Sequence, residues 1–153
     1  MLGNPRRLLA AIAVAASLLI LIPASASASG GQRMLQAINQ TRAAHGLPAF
    51  RASGNLAASA RRYSGYMLAR NYFGHVSRIR ASWSRWSWVG ENLAMYPGWG
   101  TRVGSIVRSW MNSPPHRHVL LSRRFGAAGV GYAHGRMGRG RTTTVTLHVG
   151  RAK

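Results

Sequence analysis

Trp110-Met111-Asn112-Ser113-Pro114-Pro115-His116 is the stretch on which the reading of this chain turns. Residues 101–112 set Val103, Ile106, Val107 and Trp110 on one helical stripe. The proline pair ends that helix and suits the first turn of another, running to about Leu121. Ser113, just before the prolines, stands where a helix-capping hydroxyl is expected. Working outwards, residues 54–70 place Leu56, Ala60, Tyr63, Met67 and Leu68 along one face, with Ser53 as the expected N-cap. Residues 32–45 carry Met34, Leu35, Ile38 and Arg42 at helical spacing and stop at Gly46 and Pro48. Towards the C-terminus, Gly129 to His134 and Thr142 to Val149 are strand-like, and residues 135–141 make them a hairpin. Helices first and strands last predict an α+β layer in preference to a parallel βαβ series.

Charge narrows the chemistry. Glu91 is the only acidic residue among 153, against 21 Lys and Arg, for a formal net charge of +20. Paired-carboxylate glycoside hydrolysis and an aspartic dyad both need two acids, so they are excluded. Calcium and magnesium sites rich in carboxylates are hard to build here. Cysteine is absent, which removes thiolate nucleophiles and thiolate zinc sites. Any site must use His, Ser, Thr, Tyr, backbone groups and at most one carboxylate.

The first 28 residues read as an export signal. Arg6 and Arg7 form a positive n-region, Leu8 to Ile22 an apolar core, and Ala24-Ser25-Ala26-Ser27-Ala28 overlapping cleavage sites. That apolar run is shorter than the roughly 20 residues needed to span a bilayer, so no transmembrane span is expected after cleavage. The mature chain, residues 31–153, is then one domain held by packing without disulfides. Removing Arg6 and Arg7 leaves nineteen basic side chains against one acid, a formal charge of +18. Such a chain attracts anionic polymers and lipid headgroups. Its arginines are scattered over every segment with no nucleic-acid fold signature, so sequence-specific nucleic-acid binding is not expected.

Four local blocks remain: Tyr72-Phe73-Gly74-His75, Gly90-Glu91-Asn92-Leu93, the Trp110 to His116 stretch, and Gly129-Val130-Gly131. Together with Ile38-Asn39-Gln40-Thr41-Arg42 and Gly46-Leu47-Pro48, their order and spacing resemble the CAP superfamily of cysteine-rich secretory, antigen 5 and pathogenesis-related proteins, in its cysteine-free bacterial branch. The resemblance covers about residues 34–150. It implies a three-layer α-β-α sandwich of the CAP (SCP-like) type, secreted, with a cleft lined by two histidines and acidic partners. By motif position, His75 matches the first cleft histidine, Glu91 the glutamate and His116 the second histidine. The second acid of the family pattern has no counterpart, and Asn112 or Ser113 occupies its neighbourhood. His118 replaces the Asn usual two residues after the last histidine, and the stretch between His75 and Gly90 is short for the family.

Two imidazoles and one carboxylate, His75, His116 and Glu91, make a three-ligand set for Zn²⁺, with a fourth position for water. Such a site could support hydrolysis by lowering the pKa of bound water. The alternative is a polar cluster without metal, in which one or both histidines bind the carboxylate by hydrogen bonds. Zn²⁺ is therefore a possible cofactor and none is required. A Ser113–His116–Glu91 hydrolase can be drawn, but Ser113 is expected to cap, and no G-x-S-x-G elbow is present. His45 is expected at a helix end, and His134 and His148 as ordinary surface or sheet residues of the hairpin.

Trp83, Trp86 and Trp88 interleave with Arg78, Arg80 and Arg85. Such a run either fills a core or offers a basic, aromatic binding surface for sugars, acyl chains or membrane interfaces, which Tyr96, Pro97, Gly98 and Trp99 would extend. The sequence reads as a secreted, monomeric binding module for an envelope component, lipid or anionic polymer. A metal-assisted hydrolase at the same cleft is the enzymatic alternative, and membrane disruption by charge and tryptophan is a third class.

Overall fold

Ser29 opens the first helix with a capping box: its Oγ accepts the Gln32 amide at 3.2 Å while the Gln32 side chain accepts the Ser29 amide at 2.7 Å. The computed structural model describes residues 29–79, 81 and 85–153. Helix α1 spans Gly30–Ala44 and buries Met34, Leu35, Ile38 and Arg42, the stripe read from its spacing. Arg42 is 1 % exposed. Its guanidinium donates to the carbonyls of Pro48 at 2.9 Å, Leu120 at 2.7 Å and Ser122 at 3.0 Å, and lies 3.6 Å over the Phe50 ring. Burial, and secondarily Arg123, hold its pKa below the ordinary arginine value. This cation thus pins the loop after α1 to a more distant turn.

Helix α2, Gly54–Ala69, starts at Ser53, whose Oγ accepts the Leu56 amide. Helix α3 spans Val103–Asn112 and α4 spans Pro114–Leu121, with the prolines in the first turn of α4 as the sequence requires. Trp110 anchors α3 by burying its indole and donating Nε1–H to the Leu93 carbonyl at 2.8 Å.

Four strands form one sheet in the order β1-β3-β4-β2: β1 Arg51–Ala52, β2 Trp86–Pro97, β3 Ala127–Met137 and β4 Gly140–Ala152. β1 runs parallel to β3; β3–β4 and β4–β2 are antiparallel. Helix α2 packs on one face, while α1, α3 and α4 cover the other, giving a three-layer α-β-α sandwich. The α2 face is close: a Cβ on Gly129 would come within 2.0 Å of the Ala57 nitrogen, and one on Gly131 within 2.1 Å of the Arg61 nitrogen. The hairpin turn is tighter than residues 135–141, because Met137 already pairs with Gly140 and Gly138 takes φ 59°.

Strand β2 is a feature the residue pattern did not yield. A β-bulge between Trp86 and Trp88 breaks the two-residue alternation. Trp86 pairs with Ala152 and falls on the α2 face, whereas Trp88 pairs with Arg151 and falls on the opposite face. Trp86 is therefore core, 7 % exposed, packed with Leu56, Ile79 and Ala127 and donating to Asn55 Oδ1 at 3.0 Å. Of the two readings of the tryptophan run, Trp86 takes the core and not the binding surface. Tyr96 is likewise core, at 8 % exposure, and does not extend that surface. Trp88, Trp99 and Arg85 are exposed; Trp83, Arg80 and the signal segment lie outside the described residues. Among the described residues, no helix is long and apolar enough to cross a membrane.

Candidate functional site

Glu91 sits midway along β2 directly opposite His148 of β4, so register alone brings the carboxylate to a buried imidazole. Its Oε2 lies 3.0 Å from His148 Nε2, and its Oε1 lies 2.9 Å from His75 Nδ1 and 3.2 Å from the Val76 amide nitrogen. An ionised carboxylate only accepts, so the ring nitrogens facing it must carry hydrogen. The Glu91 side chain is 5 % exposed, that of His148 1 % and that of His75 62 %. One histidine is therefore a floor and the other a rim. The expectation that His148 is an ordinary sheet residue is thereby corrected. Thr144, Thr146 and His148 alternate along β4 towards α2, where the two threonines meet Ser64. That polar stripe in a strand buried on both faces is the signal that marks His148.

His116 stands apart from the carboxylate. Its ring is 6.5 Å from that of His75, centroid to centroid, and its Nδ1 lies 2.8 Å from Ser113 Oγ. Ser113 is the N-cap of α4, yet its hydroxyl makes no capping bond and turns to His116 instead. Pro115, at the second position of the helix, has no N–H to offer the hydroxyl, which leaves the third-position amide of His116 as the one usual capping donor. Glu91 is bonded to His75 and His148, so Ser113, His116 and Glu91 are not joined as a relay. Asn112 is exposed at the end of α3. Neighbouring Asn92 is 1 % exposed and donates Nδ2–H to the His116 carbonyl at 2.9 Å, tying α4 to β2. Burial, and then the charge of His75, hold the His116 pKa below its ordinary value.

Zinc geometry can be compared with these positions. Two imidazoles bound at tetrahedral angle, with Zn–N near 2.1 Å, would have centroids about 5 Å apart. His75 and His116 stand wider, at 6.5 Å, and both Glu91 oxygens face histidine nitrogens. Among the described residues no group of three His, Cys, Asp or Glu is placed to hold a metal ion. As arranged, the three side chains do not fit a tetrahedral centre without moving.

A cavity of about 910 Å³ opens beside the cluster, lined by Ser59, Arg62, Tyr63, Tyr66, Tyr72, His75, Val76, Ser77, Arg78 and His148. A smaller space of about 430 Å³ adjoins it on the Glu91 and Val89 side. Tyr63 is the hinge of the wall: its ring stacks on Tyr66 at 5.9 Å and on His148 at 6.5 Å, and its hydroxyl donates to the Gly74 carbonyl at 2.5 Å. Burial first, and then Glu91, push its pKa up to about 12, so it stays a neutral donor. Sequence reasoning misses Tyr63, Tyr66 and Arg62 as site residues, because α2 supplies them from a helix that also carries core positions, whereas Tyr72 stands in the block that holds His75.

The family model described as the cysteine-rich secretory protein family, CAP, matches residues 35–149. The uncharacterized protein YkwD of Bacillus subtilis (strain 168) is 31% identical over 119 residues, covering 72% of this chain and 44% of that protein. The chain thus spans less than half the length of that curated relative. An outer surface protein from Borrelia burgdorferi shares the fold with a TM-score of 0.63 at 17% identity, covering 79% of this chain and 91% of that one. An extracellular protein containing a SCP domain from Bacillus anthracis str. Ames does so with a TM-score of 0.60 at 24% identity, covering 80% and 40%. With the family match spanning three quarters of its length and the α-β-α sandwich in place, the chain belongs to the cysteine-rich secretory protein (CAP) family.

Proposed function

We propose that this CAP domain is a secreted binding module whose cavity beside Glu91 takes an anionic, ring-bearing component of the cell envelope. The observation that carries the reading is the cavity wall: three tyrosines, two arginines and no acid, with neighbouring Glu91 already bonded to two histidines. Stacked tyrosines suit a sugar ring, and arginine at the wall suits a carboxylate or phosphate on it. Secretion is supported by the positive n-region, apolar run and alanine sites of residues 1–28. Two fold relatives described as outer-surface and extracellular proteins are consistent with it. Calorimetry with a uronic-acid oligosaccharide and its neutral counterpart tests the proposal. Only the anionic sugar should bind, and Tyr66→Ala should weaken it about 3- to 10-fold, the worth of one stacking contact. Equal binding of both sugars, or no effect of the substitution, would defeat it. Stoichiometric zinc binding with zinc-dependent turnover, both lost in His75→Ala and His116→Ala, would install the metal-assisted hydrolase in its place.

A further inference from the structure

Two tryptophans lie far out on the surface, Trp88 at 53 % and Trp99 at 60 % exposure, and each is covered by a guanidinium. Arg124 Cζ stands 4.6 Å from the Trp88 ring centroid and Arg141 Cζ stands 4.7 Å from that of Trp99. An exposed indole capped by arginine at both ends of one strand pair is not what a core needs, since neither ring is buried. The stacking has a chemical consequence. A guanidinium held over an aromatic ring keeps its five N–H donors, and these can pair with phosphate oxygens.

Register places the two ends on one face. Arg141 and Arg151 are ten residues apart on β4, so alternation puts both on the side of the sheet that α1, α3 and α4 cover, at its two ends and about 33 Å from each other along the strand. Arg151 is directly opposite Trp88, and the Lys153 amide donates to the Arg85 carbonyl at 3.2 Å, which draws Arg85 and the last residues to the same end. Glu91 pairs with His148, an even-numbered position of β4, and so occupies the other face. No side-chain carboxylate can therefore neutralise these cations, because the only one in the chain is bonded elsewhere. Exposed Arg108 on α3 and Arg117 on α4 continue the positive charge over the helices of that face.

We propose that this face binds a linear polyphosphate-type polymer, a chain of repeating phosphodiester or phosphoanhydride units, with the Trp88–Arg124 and Trp99–Arg141 pairs as its two end clamps. The surface lies across the sheet from the cavity, so it stands whether or not the cavity takes a ligand. Two separated clamps distinguish a long chain from a short one, because a ligand reaching both gains from the second contact being intramolecular. A bilayer is the competing occupant, but each indole carries a guanidinium over its ring, so the pair presents charge where an interfacial anchor would present the ring alone.

Tryptophan fluorescence titrations of the full chain, at several salt concentrations, with long-chain polyphosphate, tripolyphosphate and anionic phospholipid vesicles decide the matter. Long-chain polyphosphate should bind at least about tenfold more tightly than tripolyphosphate at equal phosphate concentration. Trp88→Ala with Arg124→Ala, or Trp99→Ala with Arg141→Ala, should each remove most of that length advantage and lower the salt slope. Arg61→Ala on the α2 face removes the same charge and should leave the advantage intact. All four clamp positions are on the surface, so melting temperatures should hold. Loss of affinity in Arg61→Ala equal to that in the clamp variants would mean charge alone acts, which would overturn the proposal. So would absence of length dependence, or vesicle binding that is tighter and lost in the clamp variants.

Discussion

Glu91 accepts from His75, the Val76 amide and His148 while almost wholly out of water, so its partners must replace the hydration it gave up. Glu91→Gln tests how much the fold depends on that. The amide retains one acceptor oxygen and turns an NH₂ towards a ring nitrogen that was donating, so that histidine must either face donor to donor or move its hydrogen to its other ring nitrogen, which for His148 is buried without a partner. Urea unfolding should show a loss of about 2–4 kcal/mol. A loss below about 0.5 kcal/mol would mean the cluster is not structural, and a cycle with His148→Ala would show additivity in that case. His75 and Glu91 were legible as partners because each lies in a short motif. His148 was not, because a lone histidine near a hairpin carries no local mark and its neighbour is set by pairing 57 residues away. His116 was legible as a cleft residue by motif, but its bond to Ser113 was not, because the sequence reading gave that hydroxyl to the helix cap.

At the scale of elements, the helices were readable to within a residue or two because each carries its own cap or its own stripe. Ser29 and Ser53 start α1 and α2, and the prolines start α4. Strand β2 was hidden because its bulge puts Trp86 and Trp88 on opposite faces, so no two-residue period survives at its start. Packing of α2 on the sheet depends on the two glycines of the Gly-Val-Gly block, not on large side chains. Gly131→Ala should therefore destabilise by about 3 kcal/mol or more, because its Cβ would meet the backbone of α2, which cannot rotate away. Gly65→Ala, within α2 itself, meets nothing within 4 Å and should instead stabilise by about 0.5–1 kcal/mol through helix propensity. Thermal denaturation of the two variants reads both signs at once. Equal effects at the two positions would show that α2 does not sit on the sheet this closely.

For the molecule as a whole, charge sets the response to solvent. With 21 basic side chains and one acid, repulsive pairs far outnumber attractive ones, and the acid bonds to His75 and His148. Compaction brings these cations together, so folding works against their field. Salt shortens that field from about 30 Å at 0.01 M to about 10 Å at 0.1 M. The attractive Glu91 contacts are buried and are screened far less than surface repulsion. Sodium chloride over that range should then raise stability by about 1–2 kcal/mol, roughly 5 °C in melting temperature for a domain of this size. Most proteins with balanced surfaces show little change there, so the sign is informative. A flat or falling melting temperature would mean that the arginines are already spaced or stacked well enough to cancel their repulsion. The stacked pairs Arg42–Phe50, Arg124–Trp88 and Arg141–Trp99 would be the first places to look for that relief. Replacing Trp88 and Trp99 by Ala should then restore a positive salt response, because the guanidinium groups would lose the rings that hold them apart.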